Sequence, residues 1–297
     1  MHKRLALQWF ALCALVCFLC ITLGEGASAH AEICWNAAPP TLQGDKPLLK
    51  ITFLGAWRSD CILLECGGES MMLDGGSDLC RDPLRKAMQA KDIRHFKYLL
   101  CSHYHEDHIS GLYWLMYFGF TADEYLHPYG EKAYNTDPYL KKTVAQAKRA
   151  GIPIRQVNNG DTLTLGSAKL QLFRKQTGEG VNGKSLVVRV VFGTASAWFC
   201  ADIDGRTQKW LLQNVPPDQL KTDVVKFPHH GISNMSPALL DAMSPQLLVM
   251  TNLEKDALGG APQAKSRKIP ALFAGDGRVV LQTDGVRWYA TQEKGLF

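Results

Sequence analysis

Between positions 102 and 111 the chain reads Ser102-His103-Tyr104-His105-Glu106-Asp107-His108-Ile109-Ser110-Gly111, with three of its nine histidines inside six residues. Alternate residues of an extended segment point the same way, so His103 and His105 converge on one point. If a helix begins near Asp107, the chain turns there, and Asp107 and His108 project toward a second point close by. Imidazole and carboxylate are borderline-to-hard donors that suit zinc, manganese or iron. A histidine-rich exposed loop is the bland alternative. Ligand spacing and a strand-to-helix setting together argue against it. Gly111 lets backbone approach the cluster closely.

The cluster needs rigid elements to hold it. His95 to Cys101 is an apolar run that predicts a buried strand leading into the histidines, and Ile109 to Phe118 reads as an apolar helix after them. Upstream, Leu49–Leu54, Ile62–Glu65 and Ser70–Leu73 are short apolar runs parted by glycine and charged turns, as in strands. Residues 83–91 and 139–150 have helical periodicity, and residues 124–126 read as a strand. A second β-rich block covers 163–173, 185–192 and 196–201. It is followed by helix candidates at 206–213 and 237–243 and strands at 223–227 and 247–251. Residues 279–283 and 286–291 form a hairpin pattern around Asp284-Gly285. Two β-rich starts, each followed by helices, predict two sheets packed face to face with helices outside, a four-layer αββα sandwich. A doubly wound parallel sheet is the competing architecture. Several neighbouring strands are joined by turns too short for a parallel crossover.

The 297 residues carry a net charge of +5, with 46% hydrophobic and 21% charged residues, which excludes a disordered chain and does not by itself call for nucleic acid. Met1-His2-Lys3-Arg4, an apolar run from Leu5 to Gly24, and small residues around Ala29 and Ala31 predict a signal peptide over 1–31. That implies export to a periplasmic or extracellular space; an uncleaved anchor, and with it a membrane, is the alternative. Residues 32–48, with Pro39, Pro40 and Pro47, read as an extended lead-in, and 49–297 as one domain. Of the remaining six cysteines, Cys61, Cys101 and Cys200 sit in apolar runs as small hydrophobes. Cys34, Cys66 and Cys80 lie in turn-like contexts and are the better candidates for bridges.

The His-x-His-x-Asp-His segment with Gly111 resembles the signature of the metallo-β-lactamase-fold hydrolases. Four further segments extend the resemblance over about residues 49–291: Leu73-Asp74-Gly75-Gly76, Asn182-Gly183-Lys184-Ser185-Leu186-Val187-Val188, Phe199-Cys200-Ala201-Asp202-Ile203, and Asp223-Val224-Val225-Lys226-Phe227-Pro228-His229-His230-Gly231-Ile232-Ser233. The last is similar to the branch containing the nuclease-like domain of the DNA-uptake protein ComEC. The resemblance implies two divalent metal ions, zinc in first place and manganese in second. His103 and His105 would hold one, Asp107 and His108 the other, with Asp202 bridging. One histidine of the 229–230 pair would complete the second site; His230 is favoured as ligand and His229 as the group facing substrate. Asp74 would orient a ligand histidine. Asp107 or His229 would manage a proton.

Such a metal pair activates a shared water as hydroxide for hydrolysis of phosphodiesters, esters or strained amides. Branch resemblance implies a phosphodiesterase, on nucleic acid or another phosphodiester, with Lys184, Lys209 and Lys226 as anion contacts. A lactonase or β-lactamase, and a non-catalytic metal-binding protein of the same fold, are the alternatives. Three departures from the pattern stand out. Between His108 and Asp202 the only histidine is His127, the reserve ligand; 258–262 lacks the branch's histidine; and Gly55-Ala56-Trp57-Arg58-Ser59-Asp60 replaces its usual turn. His95 is expected to be structural or on the surface.

Overall fold

Hydrophobic alternation along three successive strands sorts their side chains into two cores. In β2 (Leu49–Phe53), β3 (Cys61–Cys66) and β4 (Glu69–Gly75), Ile51, Phe53, Ile62, Leu64, Met71 and Leu73 face a core between two sheets. Leu63 and Met72 point the other way, into a core under helices. The computed structural model describes residues 30–37, 48–55, 57–177, 180–293 and 295.

The first sheet has nine strands in the order β1-β16-β15-β2-β3-β4-β5-β6-β7, and the second has seven in the order β14-β13-β12-β11-β10-β9-β8. Their remaining members are β1 (Glu32–Trp35), β5 (His95–Leu100), β6 (Thr121–His127), β7 (Ile154–Gln156), β8 (Thr162–Leu165), β9 (Ala168–Phe173), β10 (Val187–Phe192), β11 (Ala195–Phe199), β12 (Val224–Lys226), β13 (Leu247–Met250), β14 (Ala271–Phe273), β15 (Arg278–Thr283) and β16 (Arg287–Glu293). Helices α1 (Arg81–Ala90), α2 (Glu106–Tyr117) and α3 (Pro138–Arg149) cover the first sheet through Leu84, Leu112 and Val144. Helices α4 (Gly205–Asn214), α5 (Pro217–Leu220), α6 (Pro237–Met243) and α7 (Gly260–Arg267) cover the second through Leu211, Leu220, Leu240 and Ala264. This is the expected αββα arrangement. Antiparallel pairing of β2, β3 and β4, and of β8 to β11, rules out the doubly wound alternative.

Parallel strands set the site. β4 and β5 run parallel in one sheet; β11, β12 and β13 run parallel in the other. The loops leaving their C-terminal ends carry the candidate residues, as open α/β sheets commonly arrange.

Three features differ from the sequence reading. Residues 32–35 of the lead-in form β1, which pairs with β16. His30 and Ala31, assigned to the signal segment, are docked on Asp223: His30 Nδ1 lies 3.3 Å and the Ala31 N–H 2.9 Å from its carboxylate. The rest of the signal segment, 1–29, lies outside the described residues. All six described cysteines are free, and Cys66 and Cys80 are buried rather than in bridging positions. Among the described residues no helix is long and apolar enough to cross a membrane.

Candidate metal centre

Helix α2 begins at Glu106, with His105 extended in front of it at φ −61°, ψ 148°. His103 and His105 therefore share a direction, and the first helical turn carries Asp107 and His108 elsewhere. Close packing fixes the helix. A Cβ on Gly111 would lie 1.8 Å from the Gly75 carbonyl oxygen, so only glycine lets α2 approach the end of β4 this closely. The Gly111 N–H donates to the Gly76 carbonyl at 3.1 Å.

The opposite wall comes from the second sheet. After β12 the chain passes through His229 and His230, both in the left-handed region at φ 51° and 53°, and then Gly231 at φ 79°. Asp74 and Ala201 also have positive φ, at 56° and 45°. Non-glycine residues reach this region at a cost of about 1–2 kcal/mol each. Here four of them surround one cluster, as strained backbone tends to do at functional sites. The twist buries His230 completely and leaves the His229 side chain 37% exposed at the rim.

The donor atoms meet around Asp202. His103 Nε2 is 3.2 Å from His105 Nδ1 and 3.9 Å from Asp202 Oδ2. On the other side, His108 Nε2 lies 3.2 Å from Asp202 Oδ1 and His230 Nε2 lies 3.4 Å from Asp202 Oδ2. Asp107 Oδ2 is 3.3 Å from His230 Nε2, and His229 Nε2 is 3.7 Å from Asp202 Oδ2. Two ligand-sized groups result, one of His103, His105 and Asp202, the other of His108, His230, Asp202 and Asp60. They share Asp202.

A polar frame orients the rings from behind. Asp74 Oδ2 accepts from His108 Nδ1 at 2.8 Å, and its carboxylate also accepts from the Ser102 N–H at 2.7 Å and hydroxyl at 2.6 Å. Since the Ser102 hydroxyl is spent on Asp74, its oxygen accepts from His103 Nδ1 at 3.1 Å. Thr251 donates to Asp60 at 2.6 Å and so accepts from His230 Nδ1 at 2.9 Å. Three Nδ1 atoms are thus held as donors, so the three Nε2 atoms are the ones that face inward.

Charge follows this geometry. Burial opposes charge on His108 and His230, but Asp202 and its fellow carboxylates override it. They push His108 well above the usual imidazole range and His230 up to about 10. Burial also works against ionisation of Asp107, yet His230 beside it and the charge on His108 hold it at about 2. Asp202 is held well below the carboxylate range by His230 and His108. His103, facing other imidazoles, is depressed by burial and by His108. Carboxylates and imidazoles packed this tightly are held together by protons or by cations.

The pattern of the Metallo-beta-lactamase superfamily matches residues 54–243. The chain belongs to that superfamily. Among solved structures, the metallo-beta-lactamase fold protein YhfI from Bacillus subtilis aligns with a TM-score of 0.50 and 11% identity, over 76% of this chain and 95% of that one. The diiron β-hydroxylase CmlA from Streptomyces venezuelae aligns with a TM-score of 0.52 and 14% identity, over 81% of this chain and 55% of that one. At such identities the likeness is one of fold. No curated protein matches the chain in sequence.

Metallo-beta-lactamase superfamily members are generally metal-dependent hydrolases, and this cluster fits the divalent cations the fold binds. The decisive fit is at single atoms: His108 Nε2, His230 Nε2 and Asp202 Oδ1 are buried with no hydrogen-bond partner. Buried polar atoms are usually paired, and three unpartnered ones converging on a single point fit a bound cation.

Sequence reasoning missed part of the site. Asp60 reaches it from the turn before β3, accepting from Thr251 and lying 3.2 Å from His230 Nδ1. Its partner is Lys226, which was expected at an anion or in solvent. Instead Lys226 is fully buried, paired with Asp60 and donating to the Ala201 carbonyl at 3.0 Å. A lysine inside the apolar strand Val224-Val225-Lys226-Phe227 was the available signal, because buried ammonium groups need a buried partner. His127 belongs to neither ligand group; it is buried, and its Nδ1 accepts from the Tyr129 N–H at 3.2 Å. His95 lies at the surface beside Asp123. Lys209 is exposed on α4.

Two cavities adjoin the centre. One of about 480 Å³ is lined by Asp202, His229, Asp204, Asn182 and Gln208; the other, of about 400 Å³, has Tyr104 of the histidine loop in its wall. A larger surface cavity, about 1020 Å³ beside Glu254 and Phe273, contains no member of the cluster.

Proposed function

We propose that the protein is an exported phosphodiesterase that works with two divalent cations, zinc first and manganese second, on nucleic acid or another phosphodiester. The observation that carries the reading is the convergence of the three unpartnered buried donors His108 Nε2, His230 Nε2 and Asp202 Oδ1. In this reading His103, His105 and Asp202 hold one cation, Asp107, His108 and His230 hold the other, and Asp202 is shared. Bound there, the cations supply Lewis acidity for activating water and drawing charge from phosphoryl oxygens.

The chain's own groups do the rest. Asp74, Ser102 and Thr251 lock the rings, so little reorganisation is needed when substrate arrives. His229 stands at the rim of the 480 Å³ cavity, and burial depresses its pKa, which keeps it neutral near pH 7 and able to accept a proton from an attacking water. Asp107 remains ionised at that pH.

Two features favour a phosphodiester. Segments 182–188 and 223–233 resemble the ComEC-like branch, and the first site has only three protein donors, which leaves room for a phosphoryl oxygen. The basic start and apolar run of residues 1–29 support export. Zinc- or manganese-loaded protein is expected to turn over bis(4-nitrophenyl) phosphate and to leave a chromogenic cephalosporin and a simple lactone intact. Cleavage of either of those without phosphodiester turnover would overturn the assignment. Tight metal binding with no turnover of any of the three would favour a non-catalytic protein.

A further inference from the structure

The short turn Asn182–Lys184 is stitched to both halves of the metal centre. On one side the Leu186 N–H donates to the carbonyl of Ser102, next to His103, at 3.0 Å. On the other, Thr207 of α4 donates to the Gly183 carbonyl at 2.6 Å, and Gly183 packs against the carboxylate of Asp204. The turn therefore stands as a partition, with Asn182 in the wall of the 480 Å³ cavity and Lys184 in that of the 400 Å³ one.

The two cavities have opposite electrical character. Among the described residues the larger is lined by two carboxylates, Asp202 and Asp204, and no Lys or Arg. Among the described residues the smaller is lined by Arg174 and Lys184, with no Asp or Glu, and by Tyr104, Tyr129, Thr136 and Gln156. Arg174 is built in rather than draped over the surface. Its Nε donates to the Lys184 carbonyl at 3.0 Å, and its guanidinium lies 5.4 Å from the Tyr129 ring centre. Its two terminal nitrogens face no carboxylate among the described residues. Tyr129 packs on Tyr104 with ring centres 4.8 Å apart, and Tyr104 sits between His103 and His105. A half-buried guanidinium with no counter-charge among the described residues is a ready partner for an anion.

We propose that this cavity binds a second phosphoryl group of the substrate, adjacent to the ester that is cleaved, with Arg174 as its main contact and Lys184 as its second. Two terminal guanidinium nitrogens in one plane suit a phosphate's paired oxygens. The tyrosines offer a flat wall to a ring attached to that phosphate. This rests on the phosphodiesterase reading and deepens it: the preferred substrate carries phosphate on both sides of one unit, as a nucleotide chain does, and the acidic neighbouring cavity sets its direction.

Dithymidylate without a terminal phosphate, with one at the 5′ end, and with one at the 3′ end offer the same scissile diester. Metal-loaded protein is expected to cleave one terminally phosphorylated form with kcat/KM about tenfold or more above the plain dinucleotide, through KM. In R174Q the ratio of kcat/KM between the phosphorylated and plain forms falls to within about twofold of unity, whatever the rate on plain dithymidylate, and K184Q shows a smaller loss of that ratio. The terminus preferred reports which side of the bond enters the cavity. No preference, or one that R174Q leaves intact, overturns the proposal. A second arm avoids turnover: thymidine 5′-monophosphate and 3′-monophosphate are titrated into the metal-free protein by calorimetry. Binding weakened about tenfold by R174Q, with no diester cleaved by loaded protein, would sink the phosphodiesterase reading and leave this site standing. Binding of neither nucleotide, or binding indifferent to R174Q, removes the site whatever the turnover.

Discussion

Lys226 and Asp60 form an ion pair behind the metal centre, with side chains 0% and 2% exposed. The Asp60 carboxylate in turn holds Thr251 against His230, so this pair of charges determines where a candidate ligand points. Removing one partner of a buried pair strands the other without water, at about 3–5 kcal/mol. K226M is expected to lose that much stability in urea denaturation of the metal-free protein, and D60N nearly as much. The double variant K226M/D60L should recover most of the loss. A double-mutant cycle with coupling below about 1 kcal/mol would show that the pair is not what holds this corner.

Asp74 lies at φ 56°, a conformation asparagine accepts as readily as aspartate does. D74N therefore keeps the backbone and the shape while removing the charge that faces His108 Nδ1. Outer partners of ligand histidines are worth about 10–100-fold in metal affinity. Competition against a chelator is expected to show a loss in that range, with the circular dichroism spectrum unchanged. Unaltered affinity would mean that the Ser102 contacts alone position the ring.

His127 gives a pH dependence independent of the metal centre. Burial lowers its pKa to about 4 from 6.5, and the fold therefore refuses a proton that the unfolded chain accepts between those values. The neutral ring costs nothing above pH 6.5. As pH falls from 6.5 to 4 the unfolded state alone gains the proton, and stability is lost across that window. At 1.36 kcal/mol per unit the loss is about 3 kcal/mol. Denaturation at pH 7 and pH 4 should show wild type losing about that much more than H127Q. Equal losses would place the depressed group elsewhere.

Much of this arrangement was legible before any coordinates, and the reason is periodicity. Helices at 106–117, 138–149 and 237–243 and the longer strands of both sheets have apolar repeats strong enough to read, whereas the three-residue β7 and β14 are too short to show one. Helix α7 has no such repeat: only Gly260 and Ala264 are buried along it, so Gly-Ala-Pro-Gln-Ala-Lys-Ser-Arg gives no face to find. β1 was hidden because four residues after a signal-like segment look like a lead-in until Tyr289 and Ala290 pair with them. In the site, local spacing marked His103 to His108, since those residues are neighbours in the chain. Asp60, Lys226 and Thr251 meet across 191 positions of sequence, between Asp60 and Thr251, and no local pattern records such a meeting.

Gly111 tests whether α2 must touch β4. Alanine is the better helix former by about 1 kcal/mol, so an open site would be stabilised by G111A. Here the new methyl would lie 1.8 Å from the Gly75 carbonyl, which forces α2 away from the strand. Overpacking of this kind costs about 1–3 kcal/mol and occasionally more. A lowered melting temperature together with weaker metal retention is the expected result, because Asp107 and His108 ride on the displaced turn. A higher melting temperature would mean that the close approach is dispensable.

The adjacent histidines separate binding from chemistry. His230 is buried with its Nε2 among Asp107 and Asp202, whereas His229 stands at the rim with its ring 37% exposed. Both occupy left-handed backbone, so asparagine is the substitution that adds least strain. H230N should lower bound metal from two ions to about one per chain, read by elemental analysis after dialysis, since a single lost imidazole leaves the first site whole. H229N should retain both ions yet lose about 100-fold in turnover of bis(4-nitrophenyl) phosphate, the usual scale for a positioned general base. If H229N sheds metal and H230N does not, the two rings have exchanged roles, and the proton must be moved by Asp107 instead.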